Sequence, residues 1–237
     1  MRTEPWLARP PASASASASS AALPLTRYVL GEQSVIRFEI PTKHGPLSGT
    51  LSHVSGELAI DLSDLTRSRG QVRVELGSLE IHAERGARGG DSALLERARA
   101  ALELPSDPQA PAAFASFELS SIEDAAPTLI EPPAQRAGAT TAANRHAHLT
   151  AVGNLLLHGF RVLRRAPLSA EFAFAGDRQT PDSLSIRSRS PFVVSLETHA
   201  IVALAPAPEP RQKAGSTPPA RARDARISVE LYGTKAD

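Results

Sequence analysis

Tyr28-Val-Leu-Gly-Glu-Gln-Ser-Val-Ile-Arg-Phe-Glu-Ile40, a Pro/Gly-bearing turn through Lys43-His44-Gly45, and Pro46-Leu-Ser-Gly-Thr-Leu-Ser-His-Val-Ser-Gly-Glu-Leu-Ala-Ile-Asp61 decide the fold of this chain. Ile36, Phe38 and Ile40 are apolar while Arg37 and Glu39 are charged, the period-two signature of a strand with one wet face. Leu58, Ile60 and Leu62 repeat the alternation against Glu57, Asp61 and Ser63, so the same sheet face is written twice.

Outward from this unit the pattern recurs. Val72, Val74 and Leu76 share one parity, Gly77 interrupts, and Leu79 and Ile81 carry the opposite parity, as a bulge at a barrel corner produces. Ala113 to Ile122 reads as a strand, and Arg145 to Leu157 as a longer one with Leu149, Ala151, Gly153, Leu155 and Leu157 on one face. Across Phe160 to Ala175, Leu168, Ala170, Phe172 and Phe174 alternate with Ser169, Glu171 and Ala173 and complete a hairpin. Leu184 to Leu196 is a further strand, and Arg223 to Gly233 a final one with Ile227, Val229 and Leu231 inward. A terminal strand of this kind seals a barrel by pairing with the first, which removes both open edges. Asp91 to Leu104 is the one clear helix, opened by Asp91 or Ser92 and closed before Pro105; Leu94, Leu95, Ala98, Ala101 and Leu102 form a stripe to lay against a barrel mouth.

These elements predict an all-β fold, a closed antiparallel barrel of about eight strands with one short α-helix. Residues 1–24, rich in Pro, Ala and Ser, read as a disordered segment and residues 25–233 as the barrel domain, with 125–144 and 206–222 as long flexible loops.

Composition removes several function classes. Formal net charge is +1 from 26 basic and 25 acidic side chains, so no basic field advertises nucleic acid. The absence of cysteine excludes disulfides and thiolate chemistry. No apolar run approaches the roughly 18 residues of a membrane span. Met1 to Ala8 lacks the apolar centre of an export signal, which leaves two readings: a cytoplasmic protein, or a natural start elsewhere. Gly-x-Ser-x-Gly is absent, and Gly86, Gly89 and Gly90 lack the context and lysine of a phosphate loop, so the chain reads as non-enzymatic, with no cofactor. His146, His148 and His158 share a parity and would converge on a metal only if a fourth ligand joined them; no carboxylate sits nearby in sequence, and solvent-facing or loop histidine is the preferred reading.

Tyr28, the Ser34-x-x-x-Phe38 strand, the set Gly49, Gly56, Leu58 and Asp61, and Gly153-x-Leu155-x-Leu157-x-Gly159 together resemble the YceI-like family. Ala115-Ser116-Phe117 is similar to the family's Ala-Thr-Phe, and Arg189 with Phe192 to its Arg-x-x-Phe-Gly, although Val193 replaces the glycine and Arg161 stands where a threonine is usual. The resemblance implies a lipocalin-like barrel that binds a polyisoprenoid lipid or isoprenoid quinone in an elongated cavity, often in the bacterial periplasm.

Alternation alone leaves the inward set open, as a filled core or a cavity wall; the filled barrel would serve as a structural or protein-interaction module. The resemblance favours the cavity. On that reading Ile36, Phe38, Phe117, Leu119, Leu155, Leu157, Phe172, Phe174, Ile186 and Phe192 hold the lipid tail, with Arg189 or Arg187 at the head group. Homodimerisation is left open.

Overall fold

The computed structural model describes residues 25–42, 45–82, 95–96, 98–99, 104–105, 107, 110–133, 143–175, 179–201 and 224–236. The residues that alternate in sequence form strands β1 (Thr26–Leu30), β2 (Val35–Thr42), β3 (Gly45–Leu51), β4 (Val54–Ile60), β5 (Arg69–Glu75) and β6 (Leu79–His82). They continue as β7 (Phe114–Ala126), β8 (Ala143–Leu157), β9 (Phe160–Phe174), β10 (Ser183–Ser188), β11 (Phe192–Ser195) and β12 (Asp224–Lys235).

Antiparallel pairing runs β1-β4-β5-β7-β8-β9-β10-β12, and β12 returns to β1 with Tyr28 opposite Lys235 and Leu30 opposite Gly233. The ring is therefore a closed, lipocalin-like eight-stranded barrel, in which each of these eight strands is paired on both sides. Four of its walls are broken strands that bend once to follow the curvature. β1 and β2 both pair with β12, β3 and β4 with β6 and β5, and β10 and β11 again with β12. The bend between β5 and β6 is a 3-10 turn at Leu76–Ser78, and it accounts for the change of parity around Gly77.

One strand position and one turn show why particular residues are needed. Gly56 has φ +152°, and a Cβ there would stand 2.1 Å from the Gln71 carbonyl oxygen of the neighbouring strand, so only glycine lets β4 and β5 approach. The β8–β9 hairpin closes on His158 (φ +51°) and Gly159 (φ +79°), both left-handed, as a two-residue turn matched to strand twist requires.

The predicted strands correspond to observed ones, with longer hairpin arms: β7 continues to Ala126 and β8 begins at Ala143. Part of the expected 125–144 loop is thus sheet, and Ile130 beyond β7 is 3% exposed rather than loose. The expected helix falls mostly outside the described residues; Leu95, Glu96, Ala98 and Arg99 are helical, and buried Ala98 packs with Leu79 and Ile81. The expected disordered segment 1–24 and the 206–222 loop also lie outside the described residues.

Candidate ligand cavity

The inward faces of the eight walls line a cavity of about 220 Å³. Apart from Gly70 and Ser116, every residue lining it is aliphatic or phenylalanine. A dry 150 Å³ cavity of this chemistry binds benzene, so by proportion this one takes about nine carbons as it stands. Of the filled-core and hollow readings of the alternation, this space favours the hollow.

Small residues keep the interior open. Ala151 of β8 faces Ala166 of β9 across the ladder, and Ala170 lies two positions further along the same face; all three line the cavity. Two of the four phenylalanines on the wall, Phe38 and Phe117, pack against glycine. A Cβ on Gly49 would meet Phe38 Cζ at 2.5 Å, and one on Gly153 would meet Phe117 Cζ at 2.6 Å. The phenylalanines occupy the space that a side chain would take, and the lumen is left free.

Of the expected tail-binding residues, Ile36, Phe38, Phe117, Leu119, Leu155, Leu157, Phe172, Ile186 and Phe192 line the cavity. Phe174 is buried in the adjoining core, 1% exposed, and is not part of the wall. Arg189 is exposed at the bend between β10 and β11, where its backbone N–H donates to the Pro167 carbonyl. Arg187 is exposed on the outer face and donates to the Tyr232 hydroxyl at 2.8 Å and to Glu230 at 3.0 Å. His146 and His148 are exposed and His158 sits in a turn; among the described residues no three His, Asp or Glu side chains are placed to share a metal.

A different loop folds buried side chains over each end of the barrel. At the end where β4 finishes, Leu65 and Ile130 are buried, and the loops carrying them are laced by Leu65 N–H to the Thr128 carbonyl and Ile130 N–H to the Leu62 carbonyl, both 2.8 Å. Asp61 organises the turn. Its carboxylate accepts from the Ser63 and Asp64 N–H groups and the Ser63 hydroxyl, and lies 2.6 Å from the Arg67 guanidinium. Burial acts to raise the Asp61 pKa, but these hydrogen bonds and Arg67 prevail and hold it below the usual carboxylate range. Tyr28, fully buried nearby in the core, donates its hydroxyl to the Pro181 carbonyl, and burial with the Asp182 charge pushes its pKa up.

At the β8–β9 hairpin end the segment 196–201 folds inward, with Leu196 and Ile201 buried and lining the cavity. His199, fully buried, bonds through Nδ1 to the Leu157 carbonyl at 3.1 Å, and its own carbonyl lies 3.0 Å from His158 Nδ1. Burial lowers the imidazole pKa, and the Arg164 and His158 charges add to that lowering against the pull of the Leu157 and Phe160 backbone. Arg164 has the parity of Ala166 and stands opposite Gly153, so it belongs to the inward face of β9. Reading β9 only from Leu168 onward missed it, although extending the even positions back through Ala166 would have found it.

No family model and no curated protein matches the chain. Among solved structures the chain is similar to a polyisoprenoid binding domain from Saccharophagus degradans implicated in plant cell wall breakdown, at 13% identity and a TM-score of 0.48, covering 90% of this chain and 99% of that one. It is also similar to BcnA of Burkholderia cenocepacia, at 13% identity and a TM-score of 0.49, covering 85% of this chain and 96% of the other.

Proposed function

We propose that the barrel binds an amphiphilic lipid, of the isoprenoid or isoprenoid-quinone kind that the sequence resemblance implies, with its apolar tail in the cavity and no covalent chemistry. The observation that carries this reading is a preformed hollow walled almost entirely by hydrocarbon. A tail of about nine carbons buried at about 0.8 kcal/mol each gains about 7 kcal/mol. Association costs about 4 to 15 kcal/mol, and a rigid cavity keeps that cost at the lower end because little of the protein must be ordered.

The volume also shapes the ligand. About nine carbons is close to two isoprene units, so a longer chain either leaves its remainder outside or displaces side chains such as Leu196 and Ile201 at the hairpin end. Native mass spectrometry of protein purified from its own host is the direct test, with a co-purifying lipid adduct as the expected result. Protein that carries no adduct and takes up no ten-carbon amphiphile overturns the proposal and leaves a structural or interaction module.

A further inference from the structure

Arg164 differs from every neighbour on its strand. Its outward-facing neighbours Arg161 and Arg165 are matched by Glu118 and Glu123 on β7. Arg164 has no carboxylate partner among the described residues; its one hydrogen bond is from Nη1 to the adjacent Leu163 carbonyl at 3.3 Å, and its Nε is buried without a partner. A guanidinium stays charged, and a half-buried cation with an unmet donor costs free energy unless something supplies an acceptor. At the same hairpin end His199 is wholly buried, its Nδ1 on the carbonyl of Leu157, which stands opposite Phe160 four residues before Arg164 on β9, and its Nε2 is likewise unmet. These two nitrogens are the only buried side-chain N or O atoms lacking a partner among the described residues. Neither residue lines the cavity, but each adjoins its wall in the chain, Arg164 two residues before Ala166 and His199 between Leu196 and Ile201.

We infer that Arg164, with His199 beside it, forms a head-group site at the hairpin end of the barrel that selects an acidic amphiphile, one whose tail ends in a carboxylate or phosphate. This rests on the proposed carriage of a tail in the cavity and adds the polar end of the same ligand. The oxyanion accepts from Arg164 Nε–H and neutralises the inward charge. His199 Nε2 meets either a protonated oxygen of the same group or, once protonated itself, a second anionic oxygen. The tail then enters the cavity along the face of β9 that Arg164 shares with Ala166 and Ala170, the last two lining the wall.

Calorimetric titration of the full chain with decanoate, decyl phosphate and decanol, each below its micelle concentration, tests the assignment, with inorganic phosphate as a fourth probe. Wild-type protein is expected to bind the two acids at least about tenfold more tightly than decanol. Arg164→Gln is expected to erase that preference, so that the two acids bind it no more tightly than decanol does, and Arg164→Lys to restore part of it; thermal melting confirms that each variant is folded. Equal affinity for acid and alcohol, or a preference that survives in R164Q, overturns the head-group site while the cavity reading stands. If no amphiphile binds, the cavity reading fails. In that case, phosphate that protects wild type but not R164Q against melting shows a free-anion site in place of a lipid head-group site, and phosphate that protects neither removes the site altogether.

Discussion

Replacing Ala166 by leucine tests the hollow interior most directly. Ala166 is 6% exposed, faces Ala151 at 5%, and both side chains end at the cavity. Leucine adds three carbons, which at about 25 Å³ per carbon fill about 75 Å³ of the space, against a total of about 220 Å³. A bound tail loses about three carbons of burial, about 2.4 kcal/mol, which raises Kd about 50-fold. The same substitution buries new hydrocarbon in empty space, so folding stability is expected to hold or rise. Titration with decanol measures the first effect and thermal or urea melting the second. A folded Ala166→Leu protein that binds decanol as tightly as wild type would show that the tail lies elsewhere. A loss of stability in the overpacking range of about 1 to 3 kcal/mol would show that this wall already faces filled space.

Three further outcomes follow from the geometry. Gly49→Ala places a methyl 2.5 Å from Phe38 Cζ and 2.3 Å from the Glu80 carbonyl oxygen, and urea unfolding is expected to show a loss of about 1 to 3 kcal/mol. Asp61→Asn removes the charge facing Arg67, with an expected loss of about 1.5 to 3 kcal/mol at neutral pH. Because the folded pKa of Asp61 lies below the unfolded value of about 3.9, its contribution is present above that pH and disappears as pH falls through the folded pKa; the variant's stability should therefore change less than that of wild type in this acid window. His199→Gln probes a separate window. The folded imidazole pKa lies below the unfolded value of about 6.5, so the unfolded chain takes up the proton first and wild-type stability falls as pH drops below about 6.5 toward the folded pKa. The glutamine variant should melt with a shallower slope there, and an unchanged slope would count against this account of the buried histidine.

Much of the barrel was legible because its wall obeys one rule. Phe38, Val72 and Val74 stand between polar neighbours, and the period of two assigns them to one face before any partner strand is known. Even the break at Gly77 was visible, since Val74 and Leu79 lie on the same interior from opposite parities. Whether that interior was hollow could not be read, because a cavity depends on distances across the barrel, and the decisive contacts of Phe38 with Gly49 and Phe117 with Gly153 join different strands. Arg189 and Arg187 were expected at the ligand by motif and proximity, but register turns Arg187 outward to Glu230 and Tyr232. His199 carried no sequence signal: it lies in a short turn with no periodicity, and its burial is imposed by segment 196–201 folding over the hairpin end.

The ring is joined by β12, which holds β1 and β2 on one side and β10 and β11 on the other. The reciprocal bonds between Ser34 and Tyr232 span 198 residues of chain. During synthesis, then, the flanks of β1 and β10 wait unpaired until nearly all of this sequence has emerged, and the last assembly step carries a large loop-closure entropy. A nascent chain in that interval presents two sticky borders and a greasy trough, the surfaces that holding chaperones recognise. Shortening β12 would leave the whole sheet ajar rather than fraying one tip.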